Sequence, residues 1–118
     1  MARRVRLHAD FESDLVAQIE WLAAHRDVTW IDRLQSGIDE AIELLEVTPA
    51  AGRAIDRDGD TVMRKLILRQ IPFVIWHSYE EGARRGDLWP LRLFHARQDH
   101  PLPKMARRRR HYSTLQLR

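Results

Sequence analysis

The last apolar segment of the sequence ends in four side chains that can exchange protons or bind anions: His95, Arg97, Gln98 and Asp99. Residues 88–99 alternate apolar and polar types and are rich in strand formers, so we expect a β-strand there. An imidazole titrates near neutral pH, and a guanidinium stabilises negative charge on a phosphate. Because side chains alternate along a strand, His95 and Arg97 should share one face. The apolar members of that face would be Trp89, Leu91 and Leu93.

His95 and Arg97 have a structural and a functional interpretation. In the structural one, His95 is a partly buried ring held by hydrogen bonds, and Arg97 pairs with a carboxylate. In the functional one, the strand end faces a polyanion such as RNA, with His95 as acid or base and Arg97 stabilising a charged transition state. Ion-paired networks perturb the same residue types as active sites do, so the pair taken in isolation favours the structural interpretation.

No metal-binding or phosphate-loop pattern accompanies this segment. The six histidines are scattered, at positions 8, 25, 77, 95, 100 and 111, and no Gly-rich phosphate loop is present. The chain has no cysteine, which excludes disulfides, thiolate metal sites and a cysteine nucleophile. We therefore expect no metal and no cofactor.

The composition predicts a single globular domain in the cytoplasm. The 118 residues are 44% apolar and 31% charged, which is enough to build a core. The lack of cysteine fits a reducing compartment. No apolar run approaches the roughly 18 residues of a membrane span, and no apolar segment follows the charged N-terminus as in a signal peptide. We expect no membrane partner.

The net charge of +3 divides unevenly along the chain. Residues 1–100 hold 14 basic and all 17 acidic residues, whereas residues 101–118 hold six basic residues and no acid. We divide the chain accordingly into a domain over 1–100 and a basic tail over 101–118, whose residues 104–117 are compatible with a short helix. The candidates for nucleic-acid binding are the four consecutive arginines of this tail, Arg107, Arg108, Arg109 and Arg110. A solvated tail is the alternative.

Two amphipathic helices are predicted before residue 48. In the first, apolar residues recur at i, i+4, i+8 and i+11 from Phe11, Asp10 is the expected N-cap, and the helix ends near His25. The second begins with the capping-box pattern Thr29–Asp32 and ends two residues before Pro49, which disfavours a helical residue before it. Two such helices joined by a few residues form an αα-hairpin.

The strand signals lie on either side of these helices. A short strand is expected over 3–7, at a sheet edge where charged residues are tolerated. Residues 49–60 are expected to be a linker, followed by strands at 62–68, 72–79 and 88–99, of which 72–79 is the most aromatic and β-branched and hence central. The order β-α-α-β-β-β predicts an α+β domain: an antiparallel sheet, its last three strands in a meander, with the αα-hairpin packed on one face.

Five motifs are notable together: Asp14-Leu15, Ile38-x2-Ala41-x2-Leu44-Leu45, Pro49-x2-Gly52-Arg53, Pro72-Phe-Val-Ile-Trp76 and Leu91–Asp99. With them the chain resembles the RelE/ParE superfamily, the toxins of type II toxin–antitoxin (plasmid stabilisation) modules. The last motif is the most specific, and the resemblance covers residues 3 to about 99. It implies the β-α-α-β-β-β fold and a small antitoxin that wraps the toxin.

The superfamily contains two activities. RelE-like members cleave mRNA on the ribosome with several basic residues and a tyrosine, whereas ParE-like members lack most of these and poison DNA gyrase. The resemblance places Lys65 and Arg97 at two of the five nuclease positions. Ile67, Val74 and Pro103 stand at the other three, which removes a lysine, an arginine and the tyrosine.

These departures favour a ParE-like toxin that binds and poisons gyrase and is not an enzyme. The alternative is a metal-independent, ribosome-dependent mRNA endonuclease that acts on the ribosome and its mRNA. Its candidate catalytic residues would be Arg97, His95, Lys65 and Tyr112. A third hypothesis is a non-toxic nucleic-acid-binding domain that uses the Arg107–Arg110 run.

The candidate partner-binding residues follow from the expected antitoxin. An acidic antitoxin would cover exposed arginines through strand addition or a helix in a groove. The candidates are Arg64, Arg92, Arg97 and Trp89, the last because a tryptophan near the end of an element is a frequent binding anchor.

Overall fold

The computed structural model describes residues 4–82 and 86–98 of the chain. Its elements are β1 (Arg4–Val5), α1 (Ala9–His25), α2 (Val28–Val47), β2 (Arg53–Asp58), β3 (Thr61–Ile67), β4 (Phe73–Glu80) and β5 (Asp87–His95). The strands form one sheet in the order β1-β5-β4-β3-β2. The α+β class, the two helices, the antiparallel meander of the last three strands and the central position of β4 are confirmed.

The sheet has one strand more than predicted, and it is mixed. Residues 49–60, predicted to be a linker, contain β2, which pairs with β3 at the edge of the sheet. An edge strand needs little burial, and Ile55 is the one large apolar residue of β2, so the alternation that marks a strand is missing. At the other edge, β1 runs parallel to β5. The two strands are far apart in the sequence, so no hairpin connects them and an antiparallel arrangement is not imposed.

Both helices begin earlier than predicted and use other caps. His8 caps α1, since its Nδ1 accepts the backbone N–H of Asp10 at 3.0 Å, and Asp10 lies in the first turn. Asp27 caps α2, since its Oδ1 accepts the backbone N–H of Thr29 at 2.9 Å. In each case a residue two positions before the predicted cap offers an acceptor first. Both helices end where predicted.

The αα-hairpin packs on one face of the sheet, as predicted. The buried residues of this core come from both helices and from the strands or the turn before β4: Phe11, Leu22, Leu34, Ile38, Ala41, Leu68, Ile71, Phe73, Ile75 and Leu93. Burial of each large apolar side chain contributes about 2 kcal/mol to stability. This layer fixes α1 beside β5.

The opposite face of the sheet also carries a buried apolar cluster, here called the second-face cluster. It consists of Met63, Val74, Trp76, Leu91 and Phe94. Half-buried Ile55 and Trp89 pack against it, and neither helix contributes a residue. Both faces of the sheet are therefore apolar.

A bulge in β5 changes which of its side chains share a face. Leu91 has no partner in the ladder with β4, because its neighbours Pro90 and Arg92 pair with consecutive residues of that strand. The extra residue leaves Trp89 and Leu91 on the second face, whereas Leu93 packs beneath the helices. The predicted common face of these three residues is therefore wrong, since the alternation breaks at the bulge.

Candidate functional site

The chain turns sharply at the end of β5. This strand ends at His95, whose carbonyl accepts the backbone N–H of Gln98 at 2.8 Å. In return, Gln98 Oε1 accepts the backbone N–H of His95 at 3.0 Å. The backbone N–H of Ala96 donates to the carbonyl of Pro72 at 2.8 Å. The strand predicted to reach residue 99 is therefore too long, and a turn rather than strand alternation sets the direction of Arg97.

This turn forms one wall of a cleft of about 580 Å³, here called the α1–β5 cleft. The other wall is the C-terminal half of α1 with the residue that follows it. The polar and charged residues that line the cleft as a whole are Gln18, Arg26, His95, Arg97 and Gln98, and the aromatic residues that line it are Trp21 and Phe73. The structure thus brings the predicted His95, Arg97 and Gln98 together in one site, whereas Asp99 lies outside the described residues.

The α1 side of the cleft was not found from the sequence. No spacing rule connects residues 18–26 with residues 95–98, because the sheet and the hairpin bring them together. One signal was available: Trp21 is a large aromatic residue that lies off the apolar stripe beginning at Phe11. It is 46% exposed in the structure.

His95 is held by neighbours on both of its sides. Its Nδ1 accepts the backbone N–H of Arg97 at 3.1 Å, and its ring meets Phe73 edge-on with centroids 5.2 Å apart. An accepting Nδ1 corresponds to a neutral ring with its proton on Nε2. Partial burial and then the charges of Arg97 and Arg26 lower the pKa of His95. The imidazole therefore favours the neutral form more than an exposed histidine does.

Arg26 is fixed between two tryptophans where α1 meets α2. Its guanidinium carbon lies 5.3 Å from the ring centroid of Trp21 and 5.8 Å from that of Trp30. Its Nη1 also donates to the carbonyl of His25 at 3.0 Å. His25 in turn stacks on Trp21 with centroids 4.5 Å apart. These contacts orient a charged group at the cleft before any ligand arrives.

Among residues 4–82 and 86–98, the residues that line the cleft carry positive charge and include no carboxylate. Neither Arg26 nor Arg97 forms an ion pair with another residue of these two ranges. Two guanidinium groups beside a neutral imidazole attract an anion. The arrangement therefore suits binding of a carboxylate or a phosphate.

Lys65 lies on the other side of the sheet from His95. In the ladders Lys65 is opposite Trp76, a member of the second-face cluster, whereas His95 is opposite Phe73, which packs beneath the helices. Directly opposed residues of antiparallel strands share a face. The sheet itself thus separates these two candidate catalytic residues, and the fourth candidate, Tyr112, lies outside the described residues.

Apolar side chains occupy the second face near Lys65. Val74 is 2% exposed within the second-face cluster, and its partner across the ladder, Ile67, is 64% exposed. The resemblance assigns an arginine and a lysine of the nuclease to these positions. This chain therefore has an apolar pair where a nuclease would hold two cations.

Arg64 and Arg92, two of the candidate partner-binding residues, make contacts within the chain. Arg64 Nε donates to Tyr79 Oη and its Nη1 to the carbonyl of Gly52, both at 3.2 Å. Arg92 binds the carboxylate of Asp14 through Nε at 2.7 Å and Nη2 at 3.2 Å. Both arginines therefore hold elements of the fold together.

The remaining partner candidates lie in different places. Trp89 is half-buried against the second-face cluster, with the guanidinium of Arg6 5.4 Å from its ring centroid. Arg97 lines the α1–β5 cleft.

The candidate nucleic-acid-binding residues belong to the basic tail. Outside the described residues lie the helix expected over 104–117 and the four consecutive arginines Arg107, Arg108, Arg109 and Arg110. Their binding to nucleic acid therefore stays a prediction from the sequence.

The described ranges contain neither a metal-type cluster nor a membrane-type helix. Within them no three histidine or carboxylate side chains come together as metal ligands. No helix among these residues has the length and apolar character needed to cross a bilayer.

Comparisons with known proteins give similarity of fold alone. No protein-family model matches the sequence, and no curated protein sequence matches it. One similar structure is a chain of the chromosomal ParDE TA system from P. aeruginosa, with a TM-score of 0.59 and 15% identity over 80% of this chain and 96% of the other. Another belongs to the archaeal RelE-RelB complex from Pyrococcus horikoshii OT3, with a TM-score of 0.55 and 15% identity over 84% of this chain and 100% of the other. The chain has the RelE/ParE-like fold, as the resemblance implied.

Proposed function

We propose that this chain is the toxin of a type II toxin–antitoxin module, that a cognate antitoxin neutralises it, and that it arrests growth by poisoning DNA gyrase in the cytoplasm. The toxin class is supported by the fold, since the two similar structures are named as a ParDE system and a RelE-RelB complex. The choice of gyrase over RNA rests on one observation. Lys65 and His95 lie on opposite faces of the sheet.

Metal-free RNA cleavage needs several groups around one phosphate. A base must take the proton of the 2′-hydroxyl, a cation must stabilise the charge, and an acid must protonate the leaving oxygen. Each must come within hydrogen-bond reach of the same reacting centre. The sheet keeps Lys65 away from His95, and Val74 and Ile67 supply no charge. This favours a toxin that acts by binding its target.

The test is induced expression of the full chain followed by a gyrase assay in vitro. The expected results are growth arrest, induction of the DNA-damage response, and gyrase–DNA cleavage complexes with the purified protein. Co-expression of an antitoxin encoded by a short neighbouring reading frame should restore growth. If supercoiling stays normal and cleavage complexes are absent with excess protein, gyrase is not the target.

A second candidate function is ribosome-dependent mRNA cleavage, favoured by the α1–β5 cleft itself. There His95 and Arg97 are adjacent, and the pKa of His95 is lowered by burial and by the neighbouring charges of Arg97 and Arg26. The cleft thereby supplies one acid–base group, His95, and two cations, Arg97 and Arg26. Primer extension on translating mRNA would then reveal cuts at fixed codon positions. Arg97→Ala should abolish such cuts, whereas Lys65→Ala, on the other face, should preserve them.

A further inference from the structure

We propose that the α1–β5 cleft is the docking site for a carboxylate-bearing peptide segment of the antitoxin, with Arg26 and Arg97 holding its acidic side chain. The source of the peptide rests on the proposed function. The site itself rests on four features of the described residues: the charge of the cleft, the fixed position of Arg26, the exposed tryptophan and the paired glutamines.

Of the three candidate partner-binding arginines, Arg97 is the one that lines the α1–β5 cleft. Arg64 is bound to Tyr79 and the backbone, and Arg92 is bound to Asp14. Arg97 lines the cleft with Arg26, and neither has an ion-pair partner among the described residues. A carboxylate that reaches this pair gains charge-assisted hydrogen bonds, which are about twice as strong as neutral ones.

The position of Arg26 reduces the entropy that binding must overcome. A long side chain usually loses about 1 kcal/mol of rotamer entropy when a partner fixes it. Here the contacts with Trp21 and Trp30 and the hydrogen bond to His25 already fix the guanidinium. Trp21 is 46% exposed beside it, and tryptophan and arginine are the residue types that dominate binding energy at protein interfaces.

The cleft suits a peptide better than a nucleic acid. Bases bind through stacking on an exposed aromatic face, but the ring of Trp21 is already contacted by His25 and Arg26. Gln18 Nε2 donates to Gln98 Oε1 at 3.1 Å, which orients both amides. Their other amide atoms, an oxygen and a nitrogen, match the donor and acceptor of a peptide backbone.

The test uses the full chain, labelled with ¹⁵N, and acetyl-tetraglutamate as the probe, with ionic strength held constant by NaCl. We expect saturable shifts of the Trp21 indole N–H and the Arg97 and Gln98 backbone resonances. Arg26→Ala and Arg97→Ala should each weaken the affinity about tenfold, the loss expected for one charge-assisted contact. Circular dichroism would establish that each variant is folded.

Arg33→Ala is the matched control, because Arg33 carries the same charge as Arg26 and also lies over the ring of Trp30. Arg33 lies 5.7 Å from the centroid of Trp30 but does not line the cleft. We expect its affinity for the peptide to equal that of the unmodified chain. An equal loss in Arg33→Ala would mean non-specific charge attraction and would overturn the proposal.

Two other outcomes would also overturn it: shifts that do not saturate, and tighter saturation of the same resonances by a uridine tetranucleotide, which would assign the cleft to nucleic acid. The binding measurement is independent of gyrase. A chain that poisons gyrase but does not bind the peptide refutes the docking site alone. A chain that binds the peptide but leaves growth and gyrase unaffected refutes the proposed function alone.

Discussion

Asp14 on α1 holds Arg92 on β5 through both of its carboxylate oxygens, at 2.7 and 3.2 Å. The same carboxylate accepts the backbone N–H of Leu93 at 2.9 Å. Among the described residues, β1 pairs with β5 opposite Asp87 and Leu88, so the N–H of Leu93 lies beyond this pairing. Asp14 thereby satisfies a donor on the edge of β5 and fixes α1 as the second wall of the α1–β5 cleft.

Asp14→Ala should lower the free energy of unfolding by about 3 kcal/mol, because it leaves a partly buried guanidinium and a backbone donor without their acceptor. Arg92→Ala should cost less, since Leu93 keeps its bond to Asp14. Urea unfolding followed by tryptophan fluorescence measures both changes. Arg57→Ala, which breaks the exposed pair with Glu81, is the control and should leave the midpoint almost unchanged. A wild-type midpoint for Asp14→Ala would refute this role.

Two glycines with positive φ should respond differently to alanine. A Cβ on Gly52 (φ +87°) would lie 2.3 Å from the carbonyl oxygen of Lys65, whereas one on Gly59 (φ +61°) would meet no atom within 4 Å. Gly59→Ala should therefore cost only the conformational penalty, about 1 kcal/mol. Gly52→Ala adds a backbone clash and should cost more than about 3 kcal/mol or prevent folding. Thermal unfolding would separate them, and equal midpoints would contradict the clash.

The buried His77 should make stability depend on pH. Burial lowers its pKa from 6.5 to about 4, although its Nε2 donates to the carbonyl of Ala51 at 3.2 Å. The unfolded chain therefore binds a proton between these values that the folded chain does not. The contribution of His77 to the free energy of unfolding is complete above about pH 6.5. As the pH falls towards 4, the chain loses a total of about 3 kcal/mol of this free energy.

Urea unfolding at several pH values tests this expectation. His77→Gln keeps a donor for Ala51 but cannot titrate, so its stability should change much less between pH 6.5 and 4. His25→Gln changes an exposed ring, so this variant should lose as much stability between pH 6.5 and 4 as the unmodified chain does. Equal pH dependence of His77→Gln and the unmodified chain would show that another group is responsible.

The sequence predicted those elements whose apolar period is regular. The helix that begins near Phe11 and the central strand from Phe73 bury large side chains at regular spacing, so their patterns are visible. β2 was missed because an edge strand with Ile55 as its one large apolar residue needs no such pattern. The face of Leu91 was wrong because a bulge adds one residue, and a sequence period does not register it.

The candidate site was half predictable for a related reason. His95 and Arg97 are close in sequence, so their proximity follows from local geometry alone. Arg26 and Trp21 reach them only because α1 packs beside β5, a contact between residues 69 to 76 positions apart. Lys65 was grouped with His95 through the resemblance, and the pairing of β3 with β4 assigns it to the other face.

His95→Asn should separate the two candidate functions. In the unmodified chain, Nδ1 of His95 accepts the backbone N–H of Arg97 at 3.1 Å. Asparagine places an oxygen at the position of Nδ1, so this variant can still accept that N–H and keep the turn. If the chain acts by binding gyrase, this variant should still arrest growth and trap cleavage complexes. His95→Ala lacks the acceptor that holds the turn, so it should arrest growth less and trap fewer cleavage complexes. If His95 is an acid or base in RNA cleavage, both variants should lose about 100-fold or more in activity. Growth arrest, cleavage complexes and primer extension measured on all three proteins would decide between the two.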